Sequence, residues 1–192
     1  MPDGFPQQIS GGPSAFTTFI ASGYWSQIGA SNVSTYAPLN GSLFVAPFMP
    51  AVSGLIDMLG TVITVAGAAG AVSHFGIYSA NPAPPFLPNL LLMDYGSVAT
   101  TGTGFVSSAA ASPLAVSPGT LYWVGMVTQG APATVPTLTA LTGIDPRITA
   151  TVNPSSSGKC VYFVGGVTAA LPSPIGGVAV NNTGPLPYVH MQ

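Results

Sequence analysis

The sequence predicts an all-β protein: an antiparallel, jelly-roll-like β-sandwich with an extended N-terminal arm. Short apolar runs recur along the chain, and turns rich in Gly and Pro separate them. Apolar residues nowhere recur at helical spacing over three turns without an intervening Gly or Pro. One run, residues 120–128, is apolar or aromatic on both faces, which is typical of a strand that is covered on both sides.

The predicted arm comprises residues 1–40, and the sandwich domain comprises residues 41–192. The arm is rich in Pro, Gly, Ser, Gln and Asn, but it also carries aromatic residues, in which a disordered tail would be poor. We therefore expect an extended segment whose rings pack on a neighbouring subunit or fold back on the chain's own domain. The candidate interface residues are Phe5, Phe16, Phe19, Tyr24, Trp25 and Tyr36.

The first strands of the sandwich lie between residues 41 and 80. The apolar patterns predict strands over residues 42–48, 55–65 and 71–79. Because Gly67-Ala68-Ala69-Gly70 is a turn signal, we expect the second and third strands to form an antiparallel hairpin. Four prolines between residues 82 and 88 exclude regular structure from the connection that follows.

The second half of the sandwich is organised around the run at residues 120–128. The preceding Pro118-Gly119 suits a type II turn, because Pro presets the first φ and Gly supplies the positive second φ. Further strands are predicted over residues 90–95, 105–111, 113–116, 147–152 and 159–164, followed by a short strand and a closing strand. The domain's own core covers one face of run 120–128. The other face is covered by a second layer, by the N-terminal segment or by a neighbouring subunit, and the function depends on which of the three it is.

Charge is the unusual quantity in the composition. The 192 residues suffice for one domain with a substantial core, yet only 3% are charged, where about 25% is usual. Two basic residues cannot neutralise a row of phosphates, which excludes nucleic acid as a partner. So few charges favour a chain covered in an assembly, or else a surface rich in hydroxyl and amide groups. Asp57 and Asp94 are expected to form ion pairs with Arg147 or Lys159.

Residues with catalytic or metal-binding side chains are few, and we expect neither an enzyme nor a cofactor or metal site. There is no Glu, and the single Cys160 excludes a disulfide framework. His74 and the adjacent Ser73 point to opposite faces of a strand, so they do not form a nucleophile and base pair. His190 is expected in a mobile segment close to the end of the sequence.

The sequence also bears on cellular location. The apolar stretch at residues 54–72 is 19 residues long, but Asp57 and several glycines interrupt it. The N-terminal residues lack the basic and apolar regions of a signal peptide. We therefore expect cytoplasmic synthesis and no insertion into a membrane.

Three short motifs follow one another in a familiar order. They are Ile56-Asp57 in the strand that runs to Gly67, then Phe75-Gly76-Ile77-Tyr78, then Pro118-Gly119 followed by Leu121-Tyr122-Trp123-Val124. This order, together with the closing Leu171-Pro172 and Pro185-Leu186-Pro187-Tyr188-Val189, resembles the jelly-roll or β-sandwich module of tailed-bacteriophage structural proteins. The resemblance extends over about residues 40–190. It implies a non-enzymatic, usually trimeric component of the virion.

Composition and resemblance lead to two functional hypotheses. The first is a head decoration, cement or head-fibre subunit, a homotrimer that binds itself and other virion proteins, such as the major capsid protein, through apolar interfaces. The alternative is a tail-fibre or tail-tip module that recognises a host surface glycan. Its candidate glycan contacts are Tyr78, Phe86 and Tyr95, whose rings would otherwise serve core or interface packing. In both hypotheses the protein is made in the host cytoplasm and lies on the surface of the head or tail of the virion.

Overall fold

A computed structural model of the chain describes residues 17–18, 24–27, 32–83, 86–130, 133–142, 161–181, 183–185 and 187–192. These residues form strands and no helix, which confirms the all-β prediction. No segment in these ranges is therefore a helix able to cross a membrane. The strands are β1 (Thr17–Thr18), β2 (Tyr24–Gln27), β3 (Asn32–Tyr36), β4 (Leu43–Pro50), β5 (Gly54–Val65), β6 (Val72–Ala80), β7 (Pro88–Ala99), β8 (Gly104–Val116), β9 (Tyr122–Gln129), β10 (Thr137–Thr142), β11 (Val161–Val164), β12 (Ala179–Asn181), β13 (Thr183–Pro185) and β14 (Tyr188–Met191).

The strands form two sheets of seven strands each. The first sheet has the order β12-β11-β4-β9-β6-β7, and β1 lies parallel to one end of β4. The second sheet has the order β13-β10-β5-β14-β2, with β3 beside β10 and β8 beside β5. All pairs between described strands other than β1 with β4 are antiparallel. The two sheets pack face to face as a β-sandwich, as predicted.

Three nested strand pairs give the sandwich its jelly-roll-like connectivity. β4 pairs with β9, β5 with β8 and β6 with β7, as if one long hairpin had been rolled up. The first and third pairs lie in the first sheet, and the middle pair lies in the second sheet. The remaining strands widen the two sheets.

The predicted hairpin between β5 and β6 is wrong, because the two strands lie in different sheets. β6 pairs with β7 and β9 instead. The turn between β5 and β6 crosses from one sheet to the other: Gly67 N donates to Thr100 O at 2.9 Å, and Ala68 N donates to Thr134 O at 2.8 Å. Both strands carry apolar residues on both faces, so their pattern does not specify which strand each one pairs with.

The core lies between the two sheets. β9 is buried along its whole length, which confirms that the predicted run is covered on both faces from Tyr122 onwards; Thr120, its predicted first residue, is exposed and precedes the strand. Its residues Val124 and Met126 face the core, and Trp123 and Val127 face away from the second sheet. The other large residues buried in the core include Phe44, Phe48, Ile56, Leu59, Ile63, Phe75, Ile77, Tyr95, Leu138 and Val189.

The second cover of β9 is a layer that the chain itself supplies. The irregular segment at residues 165–178 lies over the outer face of the first sheet, where Val167, Leu171 and Ile175 pack with Trp123. The Gln129 side chain holds this segment in place. Its Nε2 donates to the carbonyl oxygen of Val167 at 3.0 Å and to that of Ala169 at 2.7 Å. Of the three covers considered from the sequence, the structure shows a second layer within the chain.

Several strand limits differ from the prediction. The strand predicted at residues 90–95 extends to residues 88–99 and continues through Gly96, whose φ is +73°. The segments predicted at 105–111 and 113–116 are a single strand, β8, which is long because it pairs along almost all of β5. β10 was not predicted, because the prolines at positions 132 and 136 directly before it indicate a loop. The strand predicted at 147–152 lies outside the described residues.

Part of the predicted arm belongs to the second sheet. β2 pairs with β14, and β3 pairs with β10. The domain boundary predicted at residue 40 therefore does not coincide with the edge of the sandwich. Residues 1–16, 19–23 and 28–31 of the predicted arm lie outside the described residues.

Candidate functional site

Three aromatic rings lie together on the outer face of the second sheet, and we call them the aromatic face: Trp25 on β2, Phe105 on β8 and Tyr188 on β14. Phe105 meets Trp25 edge to face with 4.7 Å between ring centroids, and it meets Tyr188 in the same manner at 5.8 Å. The Phe105 side chain is 46% exposed. The aromatic face is thus accessible to a ligand while its rings hold one another in position.

The alternation of β14 shows which side of the sheet these rings occupy. Val189 and Met191 are buried in the core. Because successive side chains of a strand point to opposite faces, Tyr188 and His190 point away from the core. Trp25 is the partner of His190 across the β2–β14 pair, so it shares this outer side.

A glycine on β5 makes room for the Phe105 ring. A Cβ atom added to Gly60 would lie 2.6 Å from Phe105 Cζ and 2.7 Å from the carbonyl oxygen of Val106. Gly60 is also the strand partner of Tyr188. The ring can approach the backbone of the sheet this closely only because position 60 has no side chain.

A hydrogen-bonded polar group borders the aromatic face, and we call it the Asp57 network: Asp57, His190 and Gln192. His190 Nδ1 is 2.6 Å from Asp57 Oδ1, and Gln192 Nε2 donates to Asp57 Oδ2 at 2.8 Å. The His190 ring also packs against Trp25, with 5.2 Å between ring centroids. Aromatic and polar groups therefore form one continuous surface.

A β-bulge directs Asp57 towards this surface. Next to β14, His190 pairs with Met58 and Met191 pairs with Ile56, so Asp57 has no opposite residue. Next to β8 the register also shifts between Ile56 and Met58. Bulges of this kind re-aim a side chain and are common beside binding sites.

The Asp57 network keeps its carboxylate ionised. Burial acts to raise the pKa of Asp57, but the hydrogen bonds from His190 and Gln192 and the nearby imidazole outweigh it. The pKa of Asp57 therefore lies below its ordinary value of 3.8. At neutral pH the aromatic face is bordered by a negative charge.

Each of the two carboxylates pairs with a histidine, and the ion pairs predicted for Asp57 and Asp94 with Arg147 or Lys159 stay a prediction. His74 Nε2 lies 2.6 Å from Asp94 Oδ1 on the outer face of the first sheet. The pairing follows from the strands, since β6 and β7 are neighbours and β14 lies beside β5. His190 is likewise not in a mobile segment, because β14 is paired on both sides.

Arg147 and Lys159, the expected partners of these carboxylates, lie outside the described residues. Among the described residues, no group of three His, Cys, Asp or Glu side chains could hold a metal ion. The expectation that the chain is not an enzyme stays a prediction.

Two of the three candidate glycan contacts are wrong. Tyr78 is 0% exposed and Tyr95 is 2% exposed, so neither ring can meet a ligand at the surface. Burial raises the pKa of both phenols. Phe86, the third candidate, is 41% exposed with a φ of +56°, and its contact with a glycan stays a prediction.

The interface candidates fall into two groups. Phe5, Phe16 and Phe19 lie outside the described residues. Tyr24 is a residue of β2, Trp25 belongs to the aromatic face, and the Tyr36 ring meets Phe44 edge to face at 5.6 Å. Trp25 and Tyr36 thus pack on their own chain, which is the alternative considered from the sequence. A role of these residues between subunits stays a prediction.

Sequence reasoning missed Phe105, Tyr188 and Gln192. They join Trp25 and Asp57 from distant parts of the chain, and no local pattern connects them. One signal was present: Tyr188 and His190 are two residues apart in a predicted strand, which places both on one face.

Comparisons with known proteins give little further guidance. No protein-family model and no curated protein sequence matches this chain. Among solved structures, the chain is similar to the cysteine protease and lectin-like domains of Cwp84, a surface layer associated protein of Clostridium difficile, with a TM-score of 0.43 and 12% identity. The match covers 87% of this chain and 38% of the Cwp84 chain, so this chain spans less than half of the length of the Cwp84 chain. A similarity at this level does not bear on function.

Proposed function

We propose that this chain is a non-enzymatic recognition module of a bacteriophage virion, which binds a host surface glycan through the aromatic face and the Asp57 network. The observation that carries the proposal is the juxtaposition of an exposed ring, Phe105, and two half-buried rings, Trp25 and Tyr188, with an ionised carboxylate on one sheet face. The virion setting is supported by the resemblance to phage structural modules found in the sequence. The glycan function is the alternative hypothesis of the sequence analysis, with a different set of contact residues.

The chemistry of the face suits a sugar. The C–H edges of a pyranose ring are weakly positive and pack on the negative faces of aromatic rings. Its hydroxyl groups form hydrogen bonds with carboxylate, amide and imidazole groups, all of which border the rings here. Binding sites in general combine an apolar or aromatic lining with a few polar groups that orient the ligand.

The shape of the face suits an extended ligand. The contributing strands lie side by side in the order β8, β5, β14 and β2. At about 4.8 Å per strand spacing, the four strands extend over roughly 14 Å, and the rings meet above them around Phe105. A surface of this length can contact more than one sugar unit.

A head decoration or head-fibre subunit is the second candidate, and one observation favours it. Leu90 and Leu92 are 50% and 40% exposed on β7, the edge strand of the first sheet. Exposed apolar side chains on an edge strand suit contact with another subunit. The two-sided burial of β9 does not add support, because residues 165–178 of the same chain provide its outer cover.

Binding of the purified full chain to a glycan array tests the first candidate. We expect the parent chain to retain at least one host-surface glycan. The variants Trp25→Ala and Phe105→Ala should bind that glycan about tenfold more weakly, since such aromatic contacts contribute about 1.4 kcal/mol or more. Leu39→Ala is the matched control, because Leu39 is exposed and lies in the loop before β4. Absence of any retained glycan, or equal retention by all variants, would contradict the proposal.

Sedimentation and capsid binding test the second candidate. An apolar interface predicts a trimer that survives molar NaCl, because salt screens charges and strengthens burial. Substitution of Leu90 and Leu92 by Ser should then dissociate it. A monomer that binds a glycan and does not bind capsids favours the first candidate. A trimer that binds capsids and no glycan favours the second.

A further inference from the structure

We infer that the ligand of the aromatic face is an uncharged glycan, recognised through its hydroxyl donors by Asp57 and His190, and that acidic glycans are excluded. This inference rests on the proposed glycan function and specifies its ligand class. It follows from two properties of the face, its charge and its balance of hydrogen-bond donors and acceptors.

Among the described residues, the charge on the aromatic face is the negative charge of Asp57. Asp57 and Asp94 are the acidic side chains among the described residues, and no Lys or Arg occurs among them. A carboxylate, sulfate or phosphate group is normally held by a guanidinium or ammonium group. A glycan that carries such a group would instead place it near the Asp57 carboxylate, and like charges side by side discriminate strongly against a partner.

The Asp57 network is rich in acceptors. Because the Asp57 carboxylate is ionised, His190 Nδ1 carries the hydrogen that lies between them. The other ring nitrogen, Nε2, can form a hydrogen bond with a sugar hydroxyl, which both donates and accepts. Asp57 has capacity for further donors, since its two oxygens accept about four hydrogen bonds and each accepts one here from His190 or Gln192.

This balance selects the ligand. A sugar hydroxyl can donate to Asp57 or form a hydrogen bond with Nε2 of His190, and a neutral pyranose carries several such groups beside its apolar C–H face. An ionised substituent offers acceptors alone, so it can form no hydrogen bond with the Asp57 carboxylate and meets a like charge there. Gln192 adds an amide that accepts as well as donates, which suits a hydroxyl neighbour.

Tryptophan fluorescence provides a local readout of binding. The chain has two Trp residues, and Trp123 is 0% exposed. A change of emission on addition of a sugar therefore reports on Trp25. The probes are lactose, cellotriose and maltotriose. Each is compared with the form in which the primary hydroxyl of the non-reducing terminal unit alone is oxidised to a uronic acid, so that the two forms differ in that substituent only.

We expect the neutral form of at least one probe to bind, with its acidic counterpart weaker by about tenfold or more at low salt and less so at high salt. Asp57→Asn should weaken the neutral probe about tenfold, as expected on loss of charge-assisted hydrogen bonds, and should reduce the difference between neutral and acidic forms. Asp94→Asn, the matched change in the histidine pair of the other sheet, should leave both affinities unchanged.

Gln192→Lys provides a second variant that does not disturb the core, because Gln192 is exposed. The added ammonium group should raise the affinity for the acidic probes relative to the neutral ones. Equal or tighter binding of acidic probes to the parent chain, lost in Phe105→Ala, would overturn the inference and leave the glycan function standing. No response to any sugar, together with an empty glycan array, would overturn both.

Discussion

Two buried tyrosines offer a direct test of the fold, because their hydroxyl groups differ in one respect. Tyr95 Oη donates to the carbonyl oxygen of Ile56 at 2.9 Å. Tyr78 Oη is buried and has no hydrogen-bond partner among the described residues. Replacement of each tyrosine by phenylalanine removes the same atom from two different environments, so each variant serves as the control for the other.

The expected changes in the free energy of unfolding follow from these contacts. Tyr95→Phe loses a buried hydrogen bond and removes a partner from the Ile56 carbonyl, which should destabilise the protein by about 1–2 kcal/mol. Tyr78→Phe removes an unpaired polar atom from an apolar layer, so its effect should lie between about zero and a stabilisation of about 1 kcal/mol. For a domain of this size, 1 kcal/mol shifts Tm by roughly 2–4 °C.

Urea unfolding followed by circular dichroism, together with calorimetry, measures both effects. We expect Tm to fall by about 2–8 °C for Tyr95→Phe and to stay constant or rise for Tyr78→Phe. Both variants should bind glycan as the parent chain does, because neither ring reaches the surface. Equal destabilisation by the two changes, or a larger loss for Tyr78→Phe, would refute the assignment of the two hydroxyl environments.

Three further predictions concern the site and the outer layer. Gly60→Ala should cost about 1–3 kcal/mol of stability and weaken glycan binding, because the new Cβ displaces Phe105; unfolding and fluorescence titrations measure the two effects. Since the pKa of Asp57 is lowered in the folded state, its contribution to stability should be present above about pH 4 and lost as the pH falls further. Unfolding at pH 6 and at pH 3 measures this effect: the free energy of unfolding should fall between the two pH values, and it should fall less in Asp57→Asn. Leu171→Ala should cost about 2–5 kcal/mol, as a core substitution does, with a urea midpoint that does not depend on protein concentration; a concentration-dependent midpoint would mean that a neighbouring subunit stabilises this layer.

The strands themselves were largely predictable from local sequence. Pro118-Gly119 and the run after it form a turn and the strand β9, because turn chemistry and apolar pattern are local properties. The partners of the strands were not predictable. β5 and β6 carry apolar residues on both faces, so their sequence is compatible with a hairpin and equally with strands in separate sheets.

The candidate site was less predictable than the fold. Tyr78 lies on the outer face of the first sheet, where residues 165–178 bury it. Tyr95 lies at a register shift of the β6–β7 pair and is buried in the core between the sheets. Phe105 lies in a strand that the sequence indicates weakly, and it reaches Trp25 only across the intervening strands of the sheet. Asp57 could be noted as a charge in an apolar strand, but its histidine partner is 133 residues away.

The sequence alone determined that this chain is built from strands, that β9 is buried on both faces, and that few charged groups are present for catalysis or for nucleic acid. These properties depend on side-chain type and on spacing within a few residues. Only the tertiary structure decided that residues 165–178 of the same chain cover β9, and that Trp25, Phe105, Tyr188 and Asp57 share one surface. Strand pairing, bulges and close approach at Gly60 bring these residues together, and they depend on contacts between segments far apart in the chain.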